Sequence, residues 1–205
     1  LLSQNFESRY LFEDNTSEVV SVLSDTFYDY PVMGYVLGNK YNYKERLHKL
    51  IGFFVEARVL RKEPMLGVYN SEYILVAAAI VTLPGNIPAP EKLIERRKKL
   101  WQELGSEEQK RYEFYGNAAG ALQPPQPHHH LNMIGVIPKY KGKGLARMLI
   151  DAIEELVRTH PNSSGLSLNT ETESNVKLYL HLGFKLIAHA KVDDNLETRA
   201  FFKSK

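Results

Sequence analysis

Between Ile134 and Leu156 an apolar strand-like run, a short basic loop with two glycines and an amphipathic helical stretch follow one another, the order required for anion binding at a helix start. The run ends in Ile134-Gly135-Val136, and the loop reads Pro138-Lys139-Tyr140-Lys141-Gly142-Lys143-Gly144. Leu145, Leu149, Ala152, Ile153 and Leu156 then recur at helical spacing. The first N–H groups of a helix lack internal partners, and the helix dipole places roughly half a positive charge beside them. An anion satisfies both, so Val136 to Ala146 reads as a backbone cradle for a pyrophosphate. Gly142 and Gly144 let oxygens reach the backbone with no Cβ in the way, while Lys139, Lys141, Lys143 and Arg147 add positive charge. The loop does not match the P-loop, and the dinucleotide fingerprint would need its third glycine where Arg147 stands. A plain helix start with solvated lysines is the alternative local reading.

Composition narrows the chemistry further. A chain of 205 residues with 43% hydrophobic content can bury a substantial core, and one domain over 1–205 is expected. The net charge of +2, from 26 basic and 24 acidic residues, is too balanced for a general nucleic-acid or membrane binder, so neither is an expected partner. With no cysteine, disulfides, thiolate metal sites and an acyl-cysteine intermediate are excluded. No apolar run approaches the roughly 20 residues that span a bilayer. The opening LLSQNFESRY carries no secretion leader, and a soluble, cytoplasmic protein is expected.

Amphipathic helices are predicted from Thr16 to Tyr28 and from Tyr43 to Arg61. The aromatic-rich connection Phe27–Tyr41 lies between them, with Gly34 and Gly38 as chain breakers. Pro64–Tyr69 and Tyr73–Leu83 flank the turn-like Asn70-Ser71-Glu72 and read as a hairpin, its second strand fully buried. Pro90–Tyr115 is charged and helical in pattern, an insertion followed by a loop through Gly116, Gly120 and the Pro/Gln stretch; Arg96 to Lys99 form its solvated face. Strand 128–136, helix 142–158, strand 165–170, helix 174–182 and strands 184–192 and 197–202 complete an α/β layout around a mixed sheet.

The loop Lys141-Gly142-Lys143-Gly144-Leu145-Ala146, after Val136-Ile137-Pro138, resembles motif A of the GNAT N-acetyltransferases. That motif has Arg or Gln, two residues, Gly, one residue, then Gly or Ala; Lys141 departs from it. The run Asn175 to Phe184 resembles the family's second block, with Asn175, Tyr179, Gly183 and Phe184 at its marked positions. Together the blocks cover about 128–184. The resemblance implies an α/β (α+β) fold with a mostly antiparallel central sheet flanked by helices, here with a helical insertion before the fourth core strand. It also implies acetyl-coenzyme A as co-substrate, bound through Ile134, Gly135, Val136, the loop Lys141 to Arg147 (Lys141, Gly142, Lys143, Gly144, Leu145, Ala146, Arg147), Asn169, Asn175 and Tyr179. No metal is expected, and the opened strand edge would pair with the pantetheine arm. Tyr179 holds the position of the family's thiolate-protonating acid, and Gly183 should close its helix in a left-handed cap.

The consecutive histidines His128, His129 and His130 cannot converge on one ion in a strand, where neighbours point to opposite faces. Strict alternation puts His130, Asn132, Ile134 and Val136 on one face and His129, Leu131, Met133 and Gly135 on the other. Some arylalkylamine-type relatives carry histidines on this strand, so His130 is the first candidate base; Asn132 stands where some have a second histidine. Glu171 is the second candidate. The expected reaction is direct acetyl transfer to a primary amine of a small molecule. A non-catalytic acetyl-coenzyme-A sensor and a protein-acetylating enzyme stay open as alternatives, as does a homodimer.

Overall fold

In the computed structural model, residues 5–38, 41–85 and 87–205 are described. Seven strands among them form one sheet in the order β1-β2-β3-β4-β5-β7-β6. They are β1 (Glu7–Leu11), β2 (Met65–Tyr69), β3 (Leu75–Thr82), β4 (His129–Val136), β5 (Gly165–Thr170), β6 (Lys185–Lys191) and β7 (Glu197–Ser204). All neighbours are antiparallel except β4 and β5, which run parallel. One face packs against α1 (Thr16–Thr26), α2 (Pro31–Leu37), α3 (Tyr43–Arg61), α4 (Glu91–Leu104) and α5 (Ser106–Gly120); the other packs against α6 (Leu145–Thr159) and α7 (Glu173–His181). No helix among the described residues is long and apolar enough to cross a membrane.

The unbroken apolar run of β3 has its cause here. Ala78 and Ile80 join the core under α1 and α3, while Ala77, Ala79 and Val81 join the core under α6, so neither side of this central strand meets water. The expected hairpin is present. Asn70 Oδ1 accepts the N–H groups of Glu72 (3.0 Å) and Ile74 (2.9 Å), and the strand resumes at Leu75 because Tyr73 takes a left-handed φ of 58°.

Three sequence expectations change. Gly34 does not break the chain: it sits inside α2, which starts at Pro31 and buries Val32, Met33, Val36 and Leu37. Tertiary burial of that stripe overrides glycine's low propensity, and only Gly38, at φ 64°, stops the helix. Positions 39–40 of the expected connection lie outside the described residues. The insertion is two helices, bent at Gly105 (φ 115°), and the second runs through Gly116 to Gly120. At that corner Arg46 of α3 donates to the carbonyl of Leu104 and pairs with Glu108 at 2.8 Å, with both side chains buried.

The third change concerns β4 and shapes the site. Met133 pairs with Ile80 but Leu131 pairs with Val81, so Asn132 is the extra residue of a β-bulge. Beyond it the alternation inverts. Leu131 packs with Ile134 and Val136 on the α6 side, and His130 and Asn132 lie on the α3 side with Met133. The strict period of two therefore assigned the two halves of β4 to the wrong common faces. Beside the bulge, pairing of β4 with β5 covers only His129–Leu131 against Leu166–Leu168. Among the described residues, Met133–Val136 are then paired with β3 alone, and the sheet opens into a cleft.

Candidate active site

At one end of the cleft lies the glycine loop. Ile137 N–H donates to the carbonyl of Val76 at 3.0 Å, fixing the exit of β4, and Asn70 Nδ2 donates to the Tyr140 hydroxyl at 3.1 Å to hold the turn Pro138–Tyr140. Gly142 and Gly144 adopt φ of 77° and 81°, and Gly144 caps α6. A Cβ built on either would meet nothing within 4 Å, so the space before the helix entrance is open rather than plugged by side chains. Gly135 is small for a different reason: a Cβ there would lie 2.2 Å from Thr26 Oγ1, so glycine is what lets α1 close over β4.

From the loop a continuous cavity of about 1580 Å³ runs along Ile134, Gly135 and Val136, past Asn175 and Tyr179 of α7, to Glu171 at the end of β5. It continues between α2, α3, α4, α5 and the sheet. A single groove thus links the open helix entrance to an enclosed carboxylate.

Glu171 sits in a cage of hydroxyls. Tyr115 of α5 donates to its Oε1 at 2.7 Å and Thr198 of β7 at 2.8 Å, while its own N–H donates to the Tyr30 hydroxyl at 3.2 Å. Tyr30 also meets Thr170 at 3.0 Å. Burial pushes the Glu171 carboxyl above its ordinary 4.5, against the lowering effect of these hydrogen bonds. Burial, then the nearby Glu171 charge, raises the Tyr179 phenol, so it keeps its proton at neutral pH. The Tyr179 ring is buried against Phe184 and Phe201.

His130 Nδ1 lies 2.7 Å from Ser167 Oγ, and burial, with His128 and Arg58 adding to it, lowers its pKa from 6.5 to about 4. It is a neutral imidazole at physiological pH. His129 faces the other way, toward Ser163 (2.8 Å) and the ring of His160, and His128 Nδ1 faces the carbonyl of Gln126, so the triplet diverges.

A family model described as an acetyltransferase (GNAT) domain matches residues 89–200, more than half of the chain. The chain belongs to the GNAT acetyltransferase family. No curated protein matches this GNAT enzyme by sequence. Among solved structures it is similar to "histone acetyltransferase HPA2 and related acetyltransferase" from Corynebacterium glutamicum (TM-score 0.73, 17% identity, 98% of this chain and 97% of that one). It is also similar to arylalkylamine N-acetyltransferase 2 from Aedes aegypti (TM-score 0.67, 16% identity, 98% and 99%). A third is a Drosophila melanogaster polyamine N-acetyltransferase (TM-score 0.62, 16% identity, 98% and 100%). These likenesses establish the fold: a seven-stranded, mostly antiparallel sheet flanked by helices, as in GNAT acyltransferases.

Within this GNAT acyltransferase, the residues singled out from sequence line one cavity: Ile134, Gly135 and Val136; Lys141 and Gly142; Gly144 to Arg147; Asn169, Asn175 and Tyr179; His130 and Glu171. Lys143 does not line it, its ammonium lying 5.3 Å from the Tyr140 ring centroid and 5.9 Å from that of Phe6. Leu145 is buried and can offer only its backbone. The Asn169 amide is already engaged, by Gln123 and by Thr198. Sequence reasoning did not single out Tyr30, Tyr115 and Thr198 as site residues. They come from the N-cap of α2, from α5 and from β7, and the available signal was the aromatic content of the Phe27–Tyr41 connection and the insertion.

Proposed function

We propose that this GNAT enzyme transfers an acetyl group from acetyl-coenzyme A directly to a primary amine of a small molecule. The observation that carries the reading is the single groove joining the open glycine loop to the Glu171 cage. Backbone N–H groups of Gly142 to Ala146 would hold the pyrophosphate, and the free edge of β4 beyond the bulge would take the pantetheine amides. Several fold neighbours are N-acetyltransferases named for acceptor amines: arylalkylamines, polyamines and agmatine.

Glu171 takes the proton from the attacking nitrogen in this reading. Burial raises its carboxyl above the ordinary carboxylate value, whereas burial lowers His130 to about 4, a poor proton acceptor at pH 7. Nitrogen bonds to the thioester carbon as a β4 N–H stabilises the developing oxyanion; the C–S bond then breaks, and Tyr179 protonates the sulfur. Incubating the protein with acetyl-coenzyme A and a panel of small primary amines tests this. Amine-dependent thiol release, with the acetylated amine seen by mass spectrometry, is expected. Cofactor binding without release for any amine would refute it.

A further inference from the structure

The acceptor end of the cavity is sorted by charge. Its lining carboxylates are Asp25 and Asp29 on the α1–α2 side and Glu171 at the end of β5. On the opposite side, the last turn of α3 contributes Arg58 and Arg61, and α4 contributes Arg97. The carboxylate ion-paired with this arginine group is Glu63, 2.9 Å from Arg58 Nε. Arg58 Nη1 donates to Thr82 (2.5 Å) and to Asn132, the bulge residue of β4 (2.7 Å), so the guanidinium is fixed against the strand that flanks the reacting centre. Arg61 donates to the Ile87 carbonyl at 2.8 Å and bears electrostatically on Arg58. Arg97 makes no ion pair among the described residues and lies close enough to the buried Tyr112 phenol to act on it, as Arg58 does. Among the described residues, one of the three guanidiniums, Arg58, is ion-paired, with Glu63, and Glu113 is a second carboxylate acting on the same Tyr112 phenol, so positive charge stays in excess.

A cavity wall with surplus positive charge, held at Arg58 and Arg61 and carried on an exposed side chain at Arg97, repels a second ammonium and attracts an anion. Guanidinium forks match a carboxylate in geometry as well as charge.

Building on the acetyltransferase reading above, we propose that the acceptor is an amine bearing a carboxylate, whose acid end lies against Arg61 and Arg97 while its nitrogen faces Glu171. Arg58 positions this wall through Asn132 and Thr82.

The test compares kcat/KM for a homologous series of ω-amino acids with the n-alkylamines and α,ω-diamines of the same lengths. The best ω-amino acid should exceed its matched alkylamine by about tenfold or more, the range of a charge-assisted hydrogen bond, and diamines should be worst. In Arg61→Gln/Arg97→Gln that ratio should fall close to one, and in Lys98→Gln, on the exposed face of α4, it should not change. Arg97→Gln alone should lower the ratio by about threefold, which keeps the test decisive if the double variant fails to fold. A parallel calorimetric titration of pentanoate into the protein saturated with coenzyme A reads the wall without chemistry. Turnover that favours alkylamines or diamines, or a ratio that survives the arginine substitutions, overturns the proposal and leaves the transferase reading intact. Arginine-dependent pentanoate binding with no amine turned over supports the anion wall and refutes the transferase reading; no pentanoate binding counts against the wall.

Discussion

Glu171 is held by hydroxyls and, among the described residues, forms no salt bridge. Burial therefore governs its proton affinity, and its carboxyl stays raised. Replacing Glu171 with Gln keeps an acceptor for Tyr115 and Thr198 but removes the base, so kcat should fall by about 100-fold or more with thermal stability little changed. The acid limb of the wild-type kcat profile should lie above pH 4.5, where an ordinary glutamate titrates, and should vanish in the variant. A limb near pH 4 that persists in Glu171→Gln and disappears in His130→Gln would return the role to His130. Tyr179→Phe should lower turnover by about 100-fold with little change in acetyl-coenzyme-A affinity by calorimetry. Tyr179 was visible in the sequence because its spacing from Asn175 and Gly183 is local. The environment of Glu171 was not, because Tyr30, Tyr115 and Thr198 reach it from distant parts of the chain.

Among elements, the glycine loop and α6 act as a unit. Gly144 combines a left-handed φ with open space, so Gly144→Glu strains the cap and places a carboxylate where phosphate oxygens are expected. Acetyl-coenzyme-A affinity should fall by about 100-fold or more in calorimetry; unchanged affinity would remove the cradle. The insertion helices are pinned by Arg46 and Glu108, a buried pair reinforced by Arg111. Glu108→Gln strands the Arg46 charge and should cost about 3 kcal/mol in urea unfolding. Because α5 carries Tyr115, the same change should also reduce turnover. The end of α4 at Gly105 and the start of α2 at Pro31 follow local rules. The bulge at Asn132 does not, since nothing in His129–Val136 marks where the register against β3 slips.

For the molecule as a whole, the buried histidines of β4 couple stability to pH. Both His129 and His130 drop from 6.5 to about 4 on folding, mainly through burial. Below pH 6.5 the unfolded chain binds protons that the native state refuses, so stability is lost as pH falls from about 6.5 toward 4. Each site contributes on the order of 2–3 kcal/mol to that loss. Urea midpoints should decline between pH 6.5 and 5, and His129→Gln/His130→Gln should flatten the decline; equal slopes in both proteins would rule the coupling out. The mixed sheet, most of its helices and the glycine loop that opens α6 could be read from the chain alone, because strand alternation, helical periodicity and glycine geometry are encoded within a few residues. The inverted faces of β4, the hydroxyl cage around Glu171 and the arginine wall were decided only in three dimensions. Each depends on side chains brought together from distant segments by burial and strand register, and neither leaves a short-range trace.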